Sequence, residues 1–377
     1  MNCQHDHIAL DTKQVPATEG IKYVGSKRKL LPAILQLVRT TGANTVFDGF
    51  SGTTRVSQAL AKSGHTVFSN DIAVWSEVFA TCYLLASGQR YDYQGLIDHL
   101  NAVPSIDGWF SEHYGGDPND GTSVQADGRK KPWQRHNTRK LDAIRQEIEQ
   151  LGLAPEVKAV ALTSLILALD RVDSTLGHYA AYLQKWSRRS YQHLRLTVPA
   201  FCSPSANHKV LRRDIFDAVD EIVADLAYFD PPYGSNNEKM PPSRVRYAAY
   251  YHVWNSICLN DRPEVFGRAN RRIDSADPLA ASVFEEFRRD GDGRFIAVRA
   301  IDRLLARAHC RWILLSYSSG GRATAEELHR VLCDHGRLHQ VMEIDYRKNV
   351  MAGMTWTNQW LRDAEQPHRE FLFLLEK

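Results

Sequence analysis

Short apolar runs and helical hydrophobic spacing alternate from about residue 45 onwards. The segment "NTVFDGFSG" contains a short apolar run, Thr45 to Phe47, that ends at a tight glycine-containing loop. In "TTRVSQALAKSG" the apolar residues recur with the spacing of a helix, and Gly64 marks its end. The segment "HTVFSND" then repeats the strand pattern. This strand–loop–helix–strand unit predicts a parallel sheet with a right-handed crossover.

The pattern changes between Ser87 and Asn207. A loop rich in Gly, Asp and Pro precedes two helical stretches, "NTRKLDAIRQEIEQLG" and "PEVKAVALTSLILALDRV". Strand patterns return at "LAYF", "RWILLSYS", "LHQVMEIDY" and "REFLFLLEK". We therefore predict an α/β fold, a doubly wound and mostly parallel sheet interrupted by a largely helical insertion. The predicted parts are an N-terminal extension (1–20), the first part of the α/β domain (21–86), the insertion (87–207) and the second part (208–377).

The composition is that of a globular protein and adds three expectations. Of the 377 residues, 43% are apolar and 24% are charged, and the formal net charge is only +3, so the whole-chain charge indicates no class of partner. The six cysteines are scattered without a CxxC pair, which predicts no disulfide framework, no metal site and a reducing, cytoplasmic location. The N-terminus lacks a signal-peptide pattern, and the apolar segment Ala159 to Leu169 is too short for a membrane span, so we expect a buried core helix and no membrane partner.

Positive charge is concentrated in two places. The run "RKKPWQRHNTRK" (129–140) carries six Lys or Arg residues and no acid, and the stretch from Ser174 to Arg213 contains neither Asp nor Glu. A single basic run is usually a solvated face, whereas two neighbouring runs with interleaved aromatic residues favour a surface for a polyanion. The candidate nucleic-acid-binding residues are Lys130, Lys131, Arg135, Lys185, Arg188 and Arg189.

The loop after the first strand, "FDGFSGTTRVS", is a candidate cofactor site. A glycine loop of this kind is compatible with a dinucleotide, with S-adenosylmethionine or with simple packing. Asp48 at its mouth would repel a pyrophosphate, but it suits the ammonium group of a methionine moiety. Asp71, after the second strand, lies where an acceptor for ribose hydroxyls is expected. The alternative interpretation is that Asp48 and Asp71 only cap strand ends.

The segment "DLAYFDPPYGSNN" ends an apolar strand with a carboxylate, two prolines and an aromatic ring. The Asp230 carboxylate and the main-chain carbonyl of Pro231 can each accept a hydrogen bond from an exocyclic amine. Pro232 keeps the segment stiff, and Tyr233 offers a face on which a planar base can stack. A base in a duplex reaches such a pocket only if it is flipped out of the helix. The alternative is a proline-rich turn with an incidental acid.

Three motifs in this order, "KYVGSKRKLLP" (22–32), "FDGFSG" (47–52) and "DPPY" (230–233), resemble those of the Dam-like, alpha-group adenine-N6 DNA methyltransferases. Further segments, "ALDRVDSTLGHYAAYLQKW", "LLSYSSGG", "IDYRK" and "EFLFLLEK", resemble one branch of that family. The resemblance extends from about Ile21 to the C-terminus. It implies the S-adenosylmethionine-dependent methyltransferase fold, with the first strand beside the DPPY strand and an antiparallel pair of strands at the edge.

The resemblance also implies roles for individual residues. In that family the first motif lies against the methionine end of the cofactor, and Lys27 is expected to pair with the cofactor carboxylate. Thr54 departs from the family pattern, which often has glycine there, and Tyr250, Tyr251 and His252 align loosely with a segment beside the target base. The implied cofactor-binding residues are Tyr23, Gly25, Ser26, Lys27, Asp48, Phe50, Gly52, Asp71 and Asp214, and the implied catalytic residues are Asp230, Pro231, Pro232 and Tyr233.

The implied function is methyl transfer from S-adenosylmethionine to the N6 amine of a flipped-out adenine in double-stranded DNA. The insertion over 87–207 is then expected to recognise the target sequence. A restriction endonuclease is the expected functional partner, and the chain is expected to be a monomer. Two alternatives remain open at this point: methylation of RNA or of another amine or amide, and a DNA-binding module without catalysis. Asp rather than Asn at position 230 and the basic insertion favour DNA adenine.

Overall fold

The computed structural model describes residues 15–180, 183, 185–201, 207–234, 246–345 and 369–377. Residues 1–14 of the expected N-terminal extension and the "YRK" part of "IDYRK" lie outside the described residues. The described part of the chain is a mixed α/β structure built around one seven-stranded sheet.

The sheet is mostly parallel, as the sequence predicted. Five neighbouring strands run parallel, and the seventh strand is antiparallel to both of its neighbours. The expected antiparallel pair at the edge is therefore confirmed. The order across the sheet is β6-β7-β5-β4-β1-β2-β3. The strands are β1 Thr45–Asp48, β2 Thr66–Asn70, β3 Lys209–Leu211, β4 Leu226–Phe229, β5 Trp312–Ser318, β6 Arg337–Asp345 and β7 Arg369–Glu376.

The strand order reverses between β1 and β4. The chain passes from β1 outwards to β2 and β3 and then returns to β4 on the other side of β1. Val46 accordingly pairs with Val67 on one side and with Leu226 on the other. The first strand therefore lies beside the strand that leads into "DPPY", as expected. In an open α/β sheet, a ligand-binding crevice forms outside the carboxyl ends of the strands at such a point.

Helices cover both faces of the sheet. Helix α3 continues into a π-helical turn, Thr81–Leu85. Two small ladders pair Gly115–Gly116 with Trp133–Gln134 and Val265–Phe266 with Arg271–Arg272. The helices are α1 Leu31–Thr41, α2 Arg55–Lys62, α3 Val74–Ala80, α4 Arg90–Ala102, α5 Trp109–Tyr114, α6 Arg135–Gln150, α7 Pro155–Arg171, α8 Ile215–Glu221, α9 Tyr247–Tyr250, α10 His252–Leu259, α11 Asp277–Ala280, α12 Ile296–Arg307 and α13 Ala325–His335.

Alternation along the central strands creates two hydrophobic cores. Val46 and Tyr228 belong to the core that contains α1, α3 and α7, whereas Phe47 and Phe229 belong to the core that contains α8, α12 and α13. Successive strand side chains point to opposite faces, so an unbroken apolar run such as "LAYF" is explained by burial on both sides. The strand ends are thereby held rigidly, and the side chains that follow them have defined positions.

The predicted insertion packs against the face of the sheet that α1 and α3 cover. Helix α7 is buried from Ala159 to Leu169, as expected for a core helix, and the Trp133 indole donates to the Leu169 carbonyl over 2.9 Å. Its apolar side chains join the same core as α1 and α3. Within the described ranges, no helix has the length and apolar character needed to cross a membrane. The role of residues 87–207 as a recognition domain stays a prediction.

Candidate active site at the carboxyl ends of the central strands

A cavity of about 760 Å³ opens at the reversal of strand order. It brings together the first motif, the glycine loop, the acids after β1 and β2, and the start of "DPPY", although these segments are far apart in sequence. Tyr233 is connected to the cavity through Asp230. The expected site residues that line it are Tyr23, Gly25, Ser26, Lys27, Asp48, Phe50, Gly52, Asp71, Asp214, Asp230, Pro231 and Pro232.

Asp48 is a fully buried carboxylate with one unused oxygen. Its Oδ2 accepts a hydrogen bond from the Ser57 hydroxyl over 2.6 Å, whereas its Oδ1 has no partner among the described residues. Burial raises the pKa of Asp48 to about 7, and the Ser57 hydrogen bond opposes that rise. A buried acceptor without a donor is costly, and a bound cation would relieve that cost. Asp48 therefore fits an ammonium group.

Asp71 shapes the glycine loop. One of its oxygens accepts from the Gly52 amide over 2.8 Å and the other from the Ala73 amide over 2.9 Å. Gly52 has φ of 47° and Thr54 has φ of 59°, so both adopt the left-handed conformation. Thr54 thus takes up the backbone conformation that glycine adopts most easily, at the position where the family often has glycine.

The first motif is held by stacked aromatic rings. The Tyr23 ring stacks on Tyr251 with centroids 4.5 Å apart, and the Tyr251 hydroxyl accepts from the Val24 amide over 2.7 Å. Gly25 has φ of 82°, and a β-carbon there would lie 2.8 Å from the Tyr247 hydroxyl. Glycine is therefore required by both conformation and space.

Lys27 lines the cavity and is paired within the protein, and its expected pairing with a cofactor carboxylate stays a prediction. Its side chain is 6% exposed. Its ammonium group lies 3.0 Å from Asp230 Oδ1 and donates to the Gly25 carbonyl over 3.0 Å. It also lies 4.9 Å from the centre of the Tyr233 ring. A buried cation needs a compensating anion, and Asp230 is that anion here. Ser26 makes no side-chain capping hydrogen bond, because Lys27 to Lys29 form a 3₁₀ turn rather than the start of an α-helix.

Tyr233 connects Asp230 to the strands on its other side. Its hydroxyl donates to Asp230 Oδ1 and lies 3.4 Å from both Ser316 Oγ and Glu370 Oε2. Its ring centre lies 4.7 Å from that of Tyr317. Burial raises the pKa of Asp230, and the Lys27 ammonium opposes that rise. The "DPPY" segment is therefore a rigid element with a buried, partly neutralised carboxylate at its start.

Sequence reasoning missed one wall of the cavity. Asp274, Ser275 and residues 279–285 line this wall. Phe284 contacts the Phe50 ring edge-on at 5.3 Å and stacks on Phe216 at 5.8 Å. Glu285 is 2% exposed, and burial raises its pKa to about 7. The run "SADPLAASVFEEF" carries a Ser282 capping signal, but no local pattern indicates which part of the molecule it covers.

The loosely aligned aromatic segment needs a correction. Tyr251 lines the cavity, whereas Tyr250 stacks on His178 at 4.0 Å and His252 is fully buried. The helix α9–α10 junction turns Tyr250 and His252 towards the core. Tyr247, one turn earlier, lines the cavity in their place. Tyr250 and His252 are therefore packing residues rather than neighbours of a target base.

Two of the six candidate nucleic-acid-binding residues have their charged groups occupied inside the protein. The Lys131 ammonium, in a side chain 6% exposed, donates to the Glu112 and His113 carbonyls over 2.9 Å each. Arg189 lies 2.7 Å from the buried Asp173 carboxylate. The Lys131 and Arg189 charged groups therefore already have acceptors within the protein, and their role in phosphate binding stays a prediction.

The remaining candidates lie nearer the surface. Lys185 and Arg188 are exposed, and Arg135, also exposed, pairs with Asp107 at 3.0 Å. Lys130 is half-buried, and its amide donates to the Arg268 carbonyl over 2.8 Å. The two basic runs are in contact, because the side-chain amide of Gln134 donates a hydrogen bond to the Ser190 hydroxyl over 3.1 Å. The three candidates Lys130, Lys185 and Arg188 are together called the basic surface below.

No group of three or more His, Cys, Asp or Glu side chains within the described ranges has the arrangement of a metal site. The chemistry that these residues themselves offer is cation binding at Asp48, hydrogen-bond acceptance at Asp71 and Asp214, and amine binding at Asp230. Asp214 caps α8 through its Oδ1, which accepts from the Phe216 amide over 2.8 Å.

Comparison with known proteins matches these features. Residues 23–278 match the family model described as D12 class N6 adenine-specific DNA methyltransferase. Modification methylase StsI of Streptococcus sanguinis is 28% identical over 87% of this chain and 48% of its own length. Type II methyltransferase M.FokI of Planomicrobium okeanokoites is 24% identical over 95% of this chain and 53% of its own length. Type II methyltransferase M.NlaIII of Neisseria lactamica is 23% identical over 87% of this chain and 92% of its own length.

The chain thus spans about half the length of the first two of these relatives and nearly all of the third. All three are named as modification methylases or Type II methyltransferases, rather than as Dam itself. The family match includes the first motif, the glycine loop, the insertion and "DPPY", and it ends before β5.

Proposed function

Since the chain belongs to the D12 class N6 adenine-specific DNA methyltransferase family, we propose that it methylates the N6 amine of an adenine in double-stranded DNA. The observation that carries this proposal is the single cavity that joins Asp48 to Asp230. One end of the cavity offers an anion suited to an ammonium group. The other end offers a carboxylate and a stiff main chain suited to an exocyclic amine.

S-adenosylmethionine is the proposed cofactor, and when bound it supplies an electrophilic methyl group. The unused Oδ1 of Asp48 supports this fit, because it can accept a hydrogen bond from the ammonium of the methionine part. Asp71 and Asp214 are the proposed acceptors for ribose hydroxyls and the adenine amine. Phe50 and Phe284 provide apolar walls for the ring.

Asp230 and the Pro231 carbonyl are the proposed acceptors for the two N–H bonds of the target amine. Holding both hydrogens places the nitrogen for attack along one line, and such positioning accounts for much of the barrier lowering in transfers of this type. Tyr233 aligns Asp230 through its hydroxyl and offers its ring as the proposed stacking surface. The target base is proposed to be flipped out of the duplex.

DNA binding is assigned to the insertion over 87–207, with the basic surface as its phosphate-binding part. Phosphate contacts position a protein on a duplex, and other side chains of the insertion are proposed to recognise the target sequence. The names of the relatives support a place in a restriction–modification system, with a restriction endonuclease as functional partner. The chain is proposed to act as a monomer, and at the finer level its resemblance is to the Dam-like group.

The test uses purified protein, methyl-labelled S-adenosylmethionine and genomic DNA that lacks adenine methylation. We expect label in N6-methyladenine at one recurring sequence, which sequencing of modified adenines would identify. A parallel reaction with RNA separates the first alternative, since label only in RNA would overturn the assignment to DNA. Calorimetry with S-adenosylmethionine separates the second, because a pure DNA-binding module has no need to bind the cofactor.

A further inference from the structure

The proposed reaction leaves one proton to be placed. An adenine amine that gains a methyl group must lose a hydrogen, and Asp230 is the nearest carboxylate. Asp230 already accepts from Tyr233 and pairs with Lys27, so it is a poor final acceptor. A site that holds a second carboxylate within reach of the same hydroxyl can move that proton away from the amine.

Glu370 is that second carboxylate. It lies on β7, outside the residues that match the family model, and its Oε2 is 3.4 Å from the Tyr233 hydroxyl. Alternation along β7 places Glu370 on the same side of the sheet as Leu372, which belongs to the core shared with Tyr228. The hydroxyl of Tyr233 therefore lies between two carboxylates on different strands.

We propose that Glu370 takes up the proton released from the target amine, through Tyr233, and thereby returns Asp230 to its carboxylate form. This inference rests on the proposed function. The amine N–H bond breaks and Asp230 gains that proton. Tyr233 then accepts the proton from Asp230 while its own hydrogen passes to Glu370 Oε2. Asp230 ends as a carboxylate, Tyr233 as a neutral hydroxyl and Glu370 as a neutral acid.

The titratable groups near Tyr233 and Glu370 lie on the 3₁₀ turn, on β4 and the segment after it, and on α9. Lys27 on the 3₁₀ turn is the cation, and Asp230 follows β4 as the other carboxylate. The neutral phenols are Tyr228 on β4, Tyr233 after it and Tyr247 on α9, each with a pKa raised by burial. Burial and the charge of Asp230 raise the pKa of Glu370, and Lys27 opposes that rise. Glu370 acts through Tyr233 and is therefore a positioning residue.

The test compares Glu370→Gln with Glu370→Asp and with the control Glu376→Gln. Glu376 lies on the same strand and pairs at 2.7 Å with Arg311 and with His339, away from the cavity. Single-turnover methylation rates would be measured from pH 5 to 9, together with S-adenosylmethionine affinity by calorimetry. We expect Glu370→Gln to lower the rate by roughly tenfold or more, with cofactor affinity unchanged.

The pH profile separates a proton role from a structural one. Glu370 must be ionised to take up the proton, so Glu370→Gln should remove its ionisation from the acidic limb of the profile and move that limb to lower pH. Glu370→Asp should keep the wild-type limb, and Glu376→Gln should match wild type throughout. An active wild type with an unchanged limb and rate in Glu370→Gln would overturn the inference and leave the proposed function intact. Absence of DNA methylation by the wild type would overturn the proposed function itself.

Discussion

Buried carboxylates carry the chemistry of individual residues in this site. Asp48, Asp71 and Asp230 all have raised pKa values because burial disfavours their charged forms, yet each meets a different set of donors. Each Asp71 oxygen accepts from one backbone amide and can accept a further hydrogen bond, Asp230 is paired with Lys27, and Asp48 keeps one oxygen unpaired. The three acids are therefore suited to three different tasks: shaping a loop, holding an amine and binding a cation.

Replacing Asp230 with Ala is expected to abolish methyl transfer while cofactor binding persists. Asp230 contacts the target amine in the proposed function, and a positioned group of this kind contributes roughly 100- to 10,000-fold to the rate. Labelled methyl transfer to DNA and calorimetry with S-adenosylmethionine give the two readouts. The control is Asp220→Ala, which removes an exposed carboxylate paired with Arg307. Turnover above about a hundredth of wild type would contradict the role of Asp230.

Replacing Asp48 with Asn is expected to weaken S-adenosylmethionine binding by tenfold or more, on the order of 1.4 kcal/mol. The same change should stabilise the unliganded protein. The folded pKa of about 7 exceeds the ordinary value of 3.8, so ionising Asp48 costs stability as pH rises from about 4 to 7. At pH 8 the neutral Asn avoids that cost, and thermal unfolding without ligand should show a higher Tm than wild type.

The pH dependence of cofactor affinity and the Tm together test the assignment of Asp48 to the cofactor site. Below pH 7 the wild type should lose cofactor affinity as Asp48 becomes protonated, whereas Asp48→Asn should show little dependence over the same range. An unchanged affinity at pH 8 would remove Asp48 from the cofactor site, and a lower Tm would contradict the cost assigned to its buried charge.

The segment that follows α7 contains two adjacent arginines, Arg188 and Arg189, in different environments. Arg189 pairs with Asp173, which is fully buried and also lies 2.9 Å from the Lys22 ammonium. This contact connects the segment to Lys22, the first residue of the first motif. Arg188 points to solvent instead. Neutralising both arginines together would therefore mix a loss of folding with a loss of DNA binding.

Changing Lys185 and Arg188 to Gln is expected to weaken binding to all duplexes. If both contact phosphates, the slope of log affinity against log salt should fall in magnitude by about 1.8, since each contact contributes roughly 0.9. Titrations at several salt concentrations, on cognate and random duplexes, provide the measurement. A double change of Arg311 and Arg330 to Gln, at exposed sites on other elements, is the matched control.

Two other outcomes are distinguishable for the basic surface. An unchanged slope would mean that Lys185 and Arg188 form only a solvated face. Loss of affinity for the cognate duplex alone would assign them to base edges. Arg189→Gln serves as a contrast, because it leaves the buried Asp173 with Lys22 and Thr175 as its remaining partners and should lower the free energy of unfolding, by about 1 to 3 kcal/mol.

The whole molecule is organised by two cores on opposite faces of one sheet. The core on the side of α7 contains both Val46 of the central strand and Trp133 of the insertion. Because the helical insertion shares this core with the sheet, packing holds the insertion in place against the sheet. The residues that line the cavity come from segments before and after the insertion.

The sheet and the insertion are expected to unfold together in one cooperative transition, because they share a core. Far-ultraviolet circular dichroism reports the sheet and helices, and tryptophan fluorescence reports the environments of all eight tryptophans, which include Trp133 and Trp254, 5.9 Å apart in that core. Coincident urea midpoints for the two signals are the expected result. A separate, earlier fluorescence transition would indicate that the insertion folds as a unit of its own.

Much of the fold was predictable because its signals are local. The strand–loop–helix–strand unit and the buried helix over Ala159 to Leu169 follow from periodicity and turn residues, whereas the antiparallel pair of β6 and β7 was implied by the family resemblance. The members of the cavity were predictable for a related reason. Side chains that follow parallel strands meet at one edge, so Asp48, Asp71 and Asp230 converge once the strand order is known.

The tertiary structure alone decided which partner each charged group has. Nothing near Lys131 or Arg189 in the sequence distinguishes them from Lys185 and Arg188, yet the first two are held by acceptors inside the protein. The sequence by itself determined which residue types follow each strand, because backbone propensity and hydrophobic period act over a few positions. Burial and charge pairing depend on elements distant in sequence, and that is why the pairing of Lys27 with Asp230, and the placing of Glu370 beside Tyr233, appeared only when the sheet was assembled.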